Sequence, residues 1–131
     1  MITRKATIAS VVIFLSMLFV GFLYYYNVNV VSNRYDTYQD AQGDKLFERG
    51  WLPDILPETT KDIRTNNNLD LNYSVGSFTI PVHDLNDFIS KINRINDTKF
   101  EYFELEDGPK WEFTVNKESG HVSYKLKFNH P

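Results

Sequence analysis

The stretch Lys110-Trp-Glu-Phe-Thr-Val115, Asn116-Lys-Glu-Ser-Gly120, His121-Val-Ser-Tyr-Lys-Leu-Lys127-Phe128 decides the fold class. Trp111, Phe113 and Val115 alternate with Glu112 and Thr114, and Val122, Tyr124, Leu126 and Phe128 alternate with Ser123, Lys125 and Lys127. Successive side chains of a strand point to opposite faces, so each run has one apolar and one polar face. The turn-forming residues between the runs reverse the chain and predict an antiparallel pair. One run earlier, Phe100, Tyr102 and Leu105 alternate with Glu101 and Glu104, and Asp107-Gly108-Pro109 supplies a second reversal. The C-terminal part therefore reads as a three-stranded meander. On its outer face Glu112 is expected beside Lys125 or Lys127.

Working towards the N-terminus, Leu85, Phe88, Ile89, Ile92 and Ile95 fall on one helical stripe, with Asp84 as cap, and predict a helix from 84 to about 95 packed across the meander. Before it, Leu69, Leu71, Tyr73 and Val75 alternate with Asp70, Asn72 and Ser74, a half-buried strand. Its phase shifts at Gly76 towards Phe78 and Ile80, as a β-bulge would shift it. Thr59 with Asp62 resembles a capping box and predicts a short helix through Ile63 to about Thr65. In Gly50-Trp-Leu-Pro-Asp-Ile-Leu-Pro57 two prolines forbid regular structure, yet the residues are too apolar for an exposed loop. That segment is expected to lie on the domain with Trp51 and Leu52 buried. Residues 36–49 read as a further helix ended by Gly50, with Tyr38, Ala41, Lys45 and Leu46 on one face.

Residues 8–26 contain no charge and run from Ile8 to the triplet Tyr24-Tyr25-Tyr26. As a helix this stretch is roughly 28 Å long, close to the ~30 Å hydrocarbon core of a bilayer. Arg4 and Lys5 precede it and no basic residue follows until Arg34, so the positive-inside rule keeps residues 1–7 in the cytoplasm. The apolar core exceeds that of a cleaved signal peptide and no Ala-x-Ala site follows, which favours an uncleaved anchor. Residues 27–35 then read as a spacer, and 36–131 as an extracytoplasmic domain.

That outer part carries 12 of the 14 Lys/Arg against all 17 Asp/Glu. A mildly acidic domain of this kind is unsuited to nucleic acid. With no cysteine, disulfides, thiolate metal sites and Cys nucleophiles are excluded. The absence of disulfides and the abundance of Asn, Ile, Lys and Tyr favour a bacterial envelope protein. His83, His121 and His130 lack metal-ligand spacing, and His83, Asp84 and Asp87 read as a helix start. Glu101, Glu104, Glu106 and Asp107 form the densest acidic patch, which as paired carboxylates would serve a small envelope hydrolase. No catalytic, cofactor or metal residue is assigned.

The residues Gly50, Trp51, Leu52, Pro53, Leu56, Pro57, Ile63, Asp70 and Asn72 resemble a pattern of small bacterial membrane-anchored envelope proteins. The resemblance implies a membrane-tethered α+β module and supplies no catalytic residue. The expected architecture is thus α+β, with an N-terminal transmembrane helix and a mostly antiparallel four-stranded sheet packed by helices, in the order α-α-β-α-β-β-β. The expected function is a single-pass inner-membrane protein whose outer domain binds a protein at the membrane, as an inhibitor, immunity-type or accessory protein. The alternative is the hydrolase. Trp51, Leu52, Asp70 and Asn72 are the candidate partner-binding residues, and the bilayer is the partner of residues 8–26.

Overall fold

The computed structural model describes residues 3–28 and 30–128, so Met1, Ile2, Asn29 and residues 129–131, with His130 among them, lie outside the described residues. Two units form, divided at Val30. The first is helix α1 (Arg4–Val28), which over Arg4–Tyr26 is long and apolar enough to cross a membrane. The Ser10 and Ser16 hydroxyls donate to the carbonyls of Ala6 and Val12, so these two donors are satisfied within the helix.

The second unit is an α+β domain built on one sheet. Its elements are β1 (Val30–Thr37), α2 (Tyr38–Gly43), β2 (Lys61–Asn68), β3 (Tyr73–Thr79), α3 (Val82–Ser90), β4 (Asn93–Arg94), β5 (Lys99–Phe103), β6 (Lys110–Val115) and β7 (His121–Lys127). The sheet has seven antiparallel strands in the order β1-β2-β3-β7-β6-β5-β4, not the expected four. The meander is as read from the sequence. Phe100 pairs with Phe113 and Phe113 with Tyr124, while Trp111 pairs with Leu126. The last strand then inserts beside β3, with Ser74 opposite Leu126, Gly76 opposite Tyr124 and Phe78 opposite Val122.

The extra strands arise where the sequence lacks apolar alternation. The stretch read as a spacer contains β1, an edge strand with a single fully inward residue, Tyr35. The stretch read as a short helix from Thr59 is β2, whose inward residues are Ile63, Thr65 and Asn67. Two of the three are polar, so the period-2 signal is invisible to an apolar count. The strand expected from Leu69 starts later, at Tyr73, and in the opposite phase. Ser74 and Phe78 are buried, whereas Leu69 and Leu71 are exposed in the β2–β3 turn. The helix expected over 36–49 is only α2, followed by turns in which Leu46 is nonetheless buried, and Gly50 has the expected positive φ of 79°.

The bulge lies elsewhere than expected. Pairing runs unbroken through Gly76, and the irregularity is in β2 between Lys61 and Arg64, where Asp62 has φ 50°. Gly76 is required for a different reason. A Cβ there would lie 2.0 Å from the Arg64 carbonyl oxygen and 2.7 Å from Cε1 of Tyr124. The Tyr124 ring occupies the space that a side chain on β3 would need.

One face of the sheet is buried under α2, α3 and the 44–60 segment. Its centre is Phe78, whose ring meets Phe88 of α3 at 5.9 Å and 90° and Phe113 at 6.2 Å and 72°, with Phe88 and Phe113 at 5.4 Å and 85°. Such edge-to-face contacts add about 0.5–1.5 kcal/mol each to burial. Helix α3 is capped by Pro81 without a side-chain bond. Asp84, expected as the cap, sits inside the first turn and accepts from Thr59 Oγ1 at 2.6 Å. The helix ends at Ser90, short of Ile95. Asn96 Oδ1 accepts the N–H groups of Thr98 and Lys99, closing the reversal that joins β4 to β5 and leaving Ile95 exposed.

Gly76→Ala is expected to lower unfolding free energy by about 2–3 kcal/mol, since the clash is with backbone and a core ring. Urea denaturation checks this, and an unchanged midpoint would remove Gly76 from the packing argument.

Candidate functional site

The four candidate residues fall into two places. Trp51 and Leu52 belong to the irregular 50–57 segment, which lies on the core as expected. Leu52 is fully buried and Trp51 is half-buried against the core. The segment is tied down by two bonds from other elements. The buried Trp111 indole donates to the Trp51 carbonyl at 3.2 Å, and the Tyr38 hydroxyl donates to Asp54 Oδ1 at 2.8 Å. A buried indole N–H needs an acceptor, and the proline-rich chain, free of sheet pairing, offers its carbonyl. Leu52 therefore offers no surface to a partner.

Asp70 and Asn72 lie together in the exposed β2–β3 turn rather than on a strand. Asn68 Oδ1 accepts the N–H groups of Asp70 and Leu71, both at 3.1 Å, and Asn72 adopts φ 47°. The turn is thus fixed by a side chain, with Leu69 and Leu71 turned outward on either side of Asp70.

Sequence reasoning missed a buried polar cluster beneath these strands. Ser74 Oγ donates to Asn67 Oδ1 at 2.5 Å and lies 3.2 Å from the Tyr124 hydroxyl. Neighbouring Thr65 is buried as well. At the edge, the Tyr35 hydroxyl donates to Asp44 Oδ2 at 2.5 Å, and Arg49 pairs with the same carboxylate at 3.1 Å. Burial pushes the Tyr124 phenol up to about 12, against the lowering effect of the Ser74 bond. Burial, then the Asp54 hydrogen bond and charge, push Tyr38 to about 12 also. These groups hold their protons as structural donors.

The opposite sheet face is uncovered. Val75, Thr114 and Ser123 line a hollow of about 420 Å³ together with Ile95 and the charged Lys99, Glu112 and Lys125. Beside it Lys110 lies 3.2 Å from Glu112 and 3.8 Å from Glu101, and Lys127 lies 3.1 Å from Glu112. The expected pairing of Glu112 with Lys127 is present. Partial burial raises the Glu112 carboxyl, but the hydrogen bonds from Lys127 and Lys110 outweigh this and hold it below the usual carboxylate range. Glu101 is thereby separated from Glu112 by a cation, an arrangement suited to fixing charges rather than sharing a proton. His83 lies 3.1 Å from Asp84 on the surface, away from the acidic patch. Among the described residues no three His, Cys, Asp or Glu side chains converge as metal ligands would.

Residues 29–79 match the family model of the YbbD head domain, a small bacterial domain. The match runs from the start of β1 to the end of β3 and includes residues 50–78, on which the resemblance above rests. No curated protein and no solved structure matches the chain. The matched domain together with an apolar N-terminal helix fits a membrane-anchored envelope protein.

Leu52→Ala is expected to cost about 2–5 kcal/mol of stability by opening a core cavity, which thermal or chemical denaturation measures. A second expectation concerns alkaline pH. Tyr38 and Tyr124 have folded pKa values of about 12 against roughly 10 unfolded, so their contribution is complete below pH 10. It is lost as pH rises from about 10 to 12, on the order of 2 kcal/mol for each. Phenolate absorbance and circular dichroism should show the exposed tyrosines ionising first and structure lost with the buried ones. Ionisation of all tyrosines together near pH 10, with the fold intact, would contradict this.

Proposed function

We propose that the chain is a single-pass protein of the bacterial inner membrane, with residues 1–7 in the cytoplasm, residues 8–26 in the bilayer and the α+β domain outside. We assign the domain a non-enzymatic role, binding a protein in or beside the membrane as an inhibitor, immunity-type or accessory component. The observation that carries this reading is the uncovered sheet face of a domain that follows a membrane-competent helix. One face of the sheet holds the core, and the other presents a hollow of mixed polar and apolar lining bordered by an ordered charge network. Fixed, interleaved charges give a surface register and specificity towards a complementary partner. The excess of acid over base in the outer part favours a neutral or basic partner surface. Tethering raises the effective concentration of a small binder towards a target in the same membrane.

The reading is tested with a photo-crosslinking amino acid at Ser123 or Thr114, on the open face, and at Glu118 in the β6–β7 turn as reference. A discrete adduct from the first two positions in intact cells, absent from the third, is expected. No adduct from either face position, in a folded and membrane-bound protein, would overturn it.

A further inference from the structure

The exposed apolar side chains of the domain are not scattered evenly. Leu69 is 50% exposed, Leu71 68% and Tyr73 37%, all in or beside the β2–β3 turn. The register shows what else shares that sheet end. Asn68 pairs with Tyr73, and Ser74 with Leu126, so Phe128, 38% exposed, follows β7 next to the turn. The Tyr38 N–H donates to the Thr60 carbonyl, where β1 has ended and β2 is about to begin. The start of β1, with exposed Val31, therefore lies beside the end of β2. Leu105 is exposed on the same sheet end but several strands away, among Glu104, Glu106 and Asp107. The other end of the sheet exposes Val82 and Ile95.

This sheet end is also where the chain enters the domain. Helix α1 closes at Val28 and β1 opens at Val30, two peptide steps that span at most about 7 Å. We infer that Leu69, Leu71 and Tyr73 rest in the headgroup region of the bilayer that holds α1, so that the β2–β3 turn is a second, interfacial membrane contact. This rests on the anchoring reading above. Given that reading, the chain passes from the span directly into this end of the sheet, which brings this end within reach of the lipid surface. The chemistry fits that layer. Leucines turned outward from a folded domain gain by entering the acyl boundary, and a tyrosine places its ring there with its hydroxyl in the headgroups. Asp70 and Asn72 alternate with them and keep polar groups on the wet side. The Asn68 side chain holds the turn, so the leucines are presented by construction rather than by a loose loop.

The chain has no cysteine, which allows a single label. Full-length Leu71→Cys carrying an environment-sensitive fluorophore is reconstituted into phosphatidylcholine–phosphatidylglycerol vesicles, with Glu118→Cys as reference. Nitroxide-labelled phospholipid is expected to quench the first label several-fold more than the second, with a blue-shifted emission. Equal quenching at the two sites, in protein that floats with the vesicles, would overturn the contact while leaving the anchor intact. A blue shift without lipid quenching would also overturn it, by placing a protein surface or a second copy over the turn. Protein that fails to float would overturn the anchor and the contact together.

Discussion

The pairing of β3 with β7 is the constraint on which the domain depends. It joins two parts of the chain that are each incomplete. β1 to β3 form a small sheet half of whose buried residues, Thr65, Asn67 and Ser74, are polar, and β4 to β7 form a meander whose inward residues are almost all aromatic or aliphatic. Six consecutive rungs from Ser74–Leu126 to Thr79–His121 make them one surface. Only then can Phe78 meet Phe113, and only then does Tyr124 lie against Gly76 with its hydroxyl near Ser74. The rungs connect residues more than forty positions apart, so loop-closure entropy must be overcome before they form. Helix α3 shortens that search, because Phe88 packs on both Phe78 and Phe113 and holds the two parts in range.

Legibility in the sequence followed the chemistry of the inward positions. The meander was readable because Trp111, Phe113 and Val115 alternate with charged or hydroxyl residues, as do Val122, Tyr124 and Leu126. Helix α3 was readable by its stripe. Its end was not, since Ile92 and Ile95 continue the period while the stop is made by backbone bonds from Lys91 and Ile92 to Phe88 and Ile89. β2 was unreadable because Thr65 and Asn67 point inward, and such residues ordinarily mark a surface. β3 was misread in phase because its inward positions are Ser74 and Gly76 while Leu71 and Tyr73 point out. The polar interior is tolerated there because Asn67, Ser74 and Tyr124 bond to one another in a place closed to water.

The candidate site was less legible than the fold. The burial of Leu52 followed from an apolar segment that prolines keep out of regular structure. The open face with Glu112 between Lys110 and Lys127 needed the strand register, since only one of its pairings could be guessed from the meander alone. The turn holding Asp70 and Asn72 was noticed for its polar residues, yet its most unusual members are the exposed leucines, Leu69 and Leu71, on either side of Asp70. Apolar side chains outside and hydrogen-bonding side chains inside invert the usual arrangement at this one end of the sheet.

The family match stops at Thr79, the last residue of β3. At that point only one flank of the strand is occupied, by β2, and the other still shows a full row of backbone donors and acceptors. In this protein β7 fills the row. The matched segment thus supplies three of the seven strands of this sheet. In this chain the completing strand comes from more than forty residues further along.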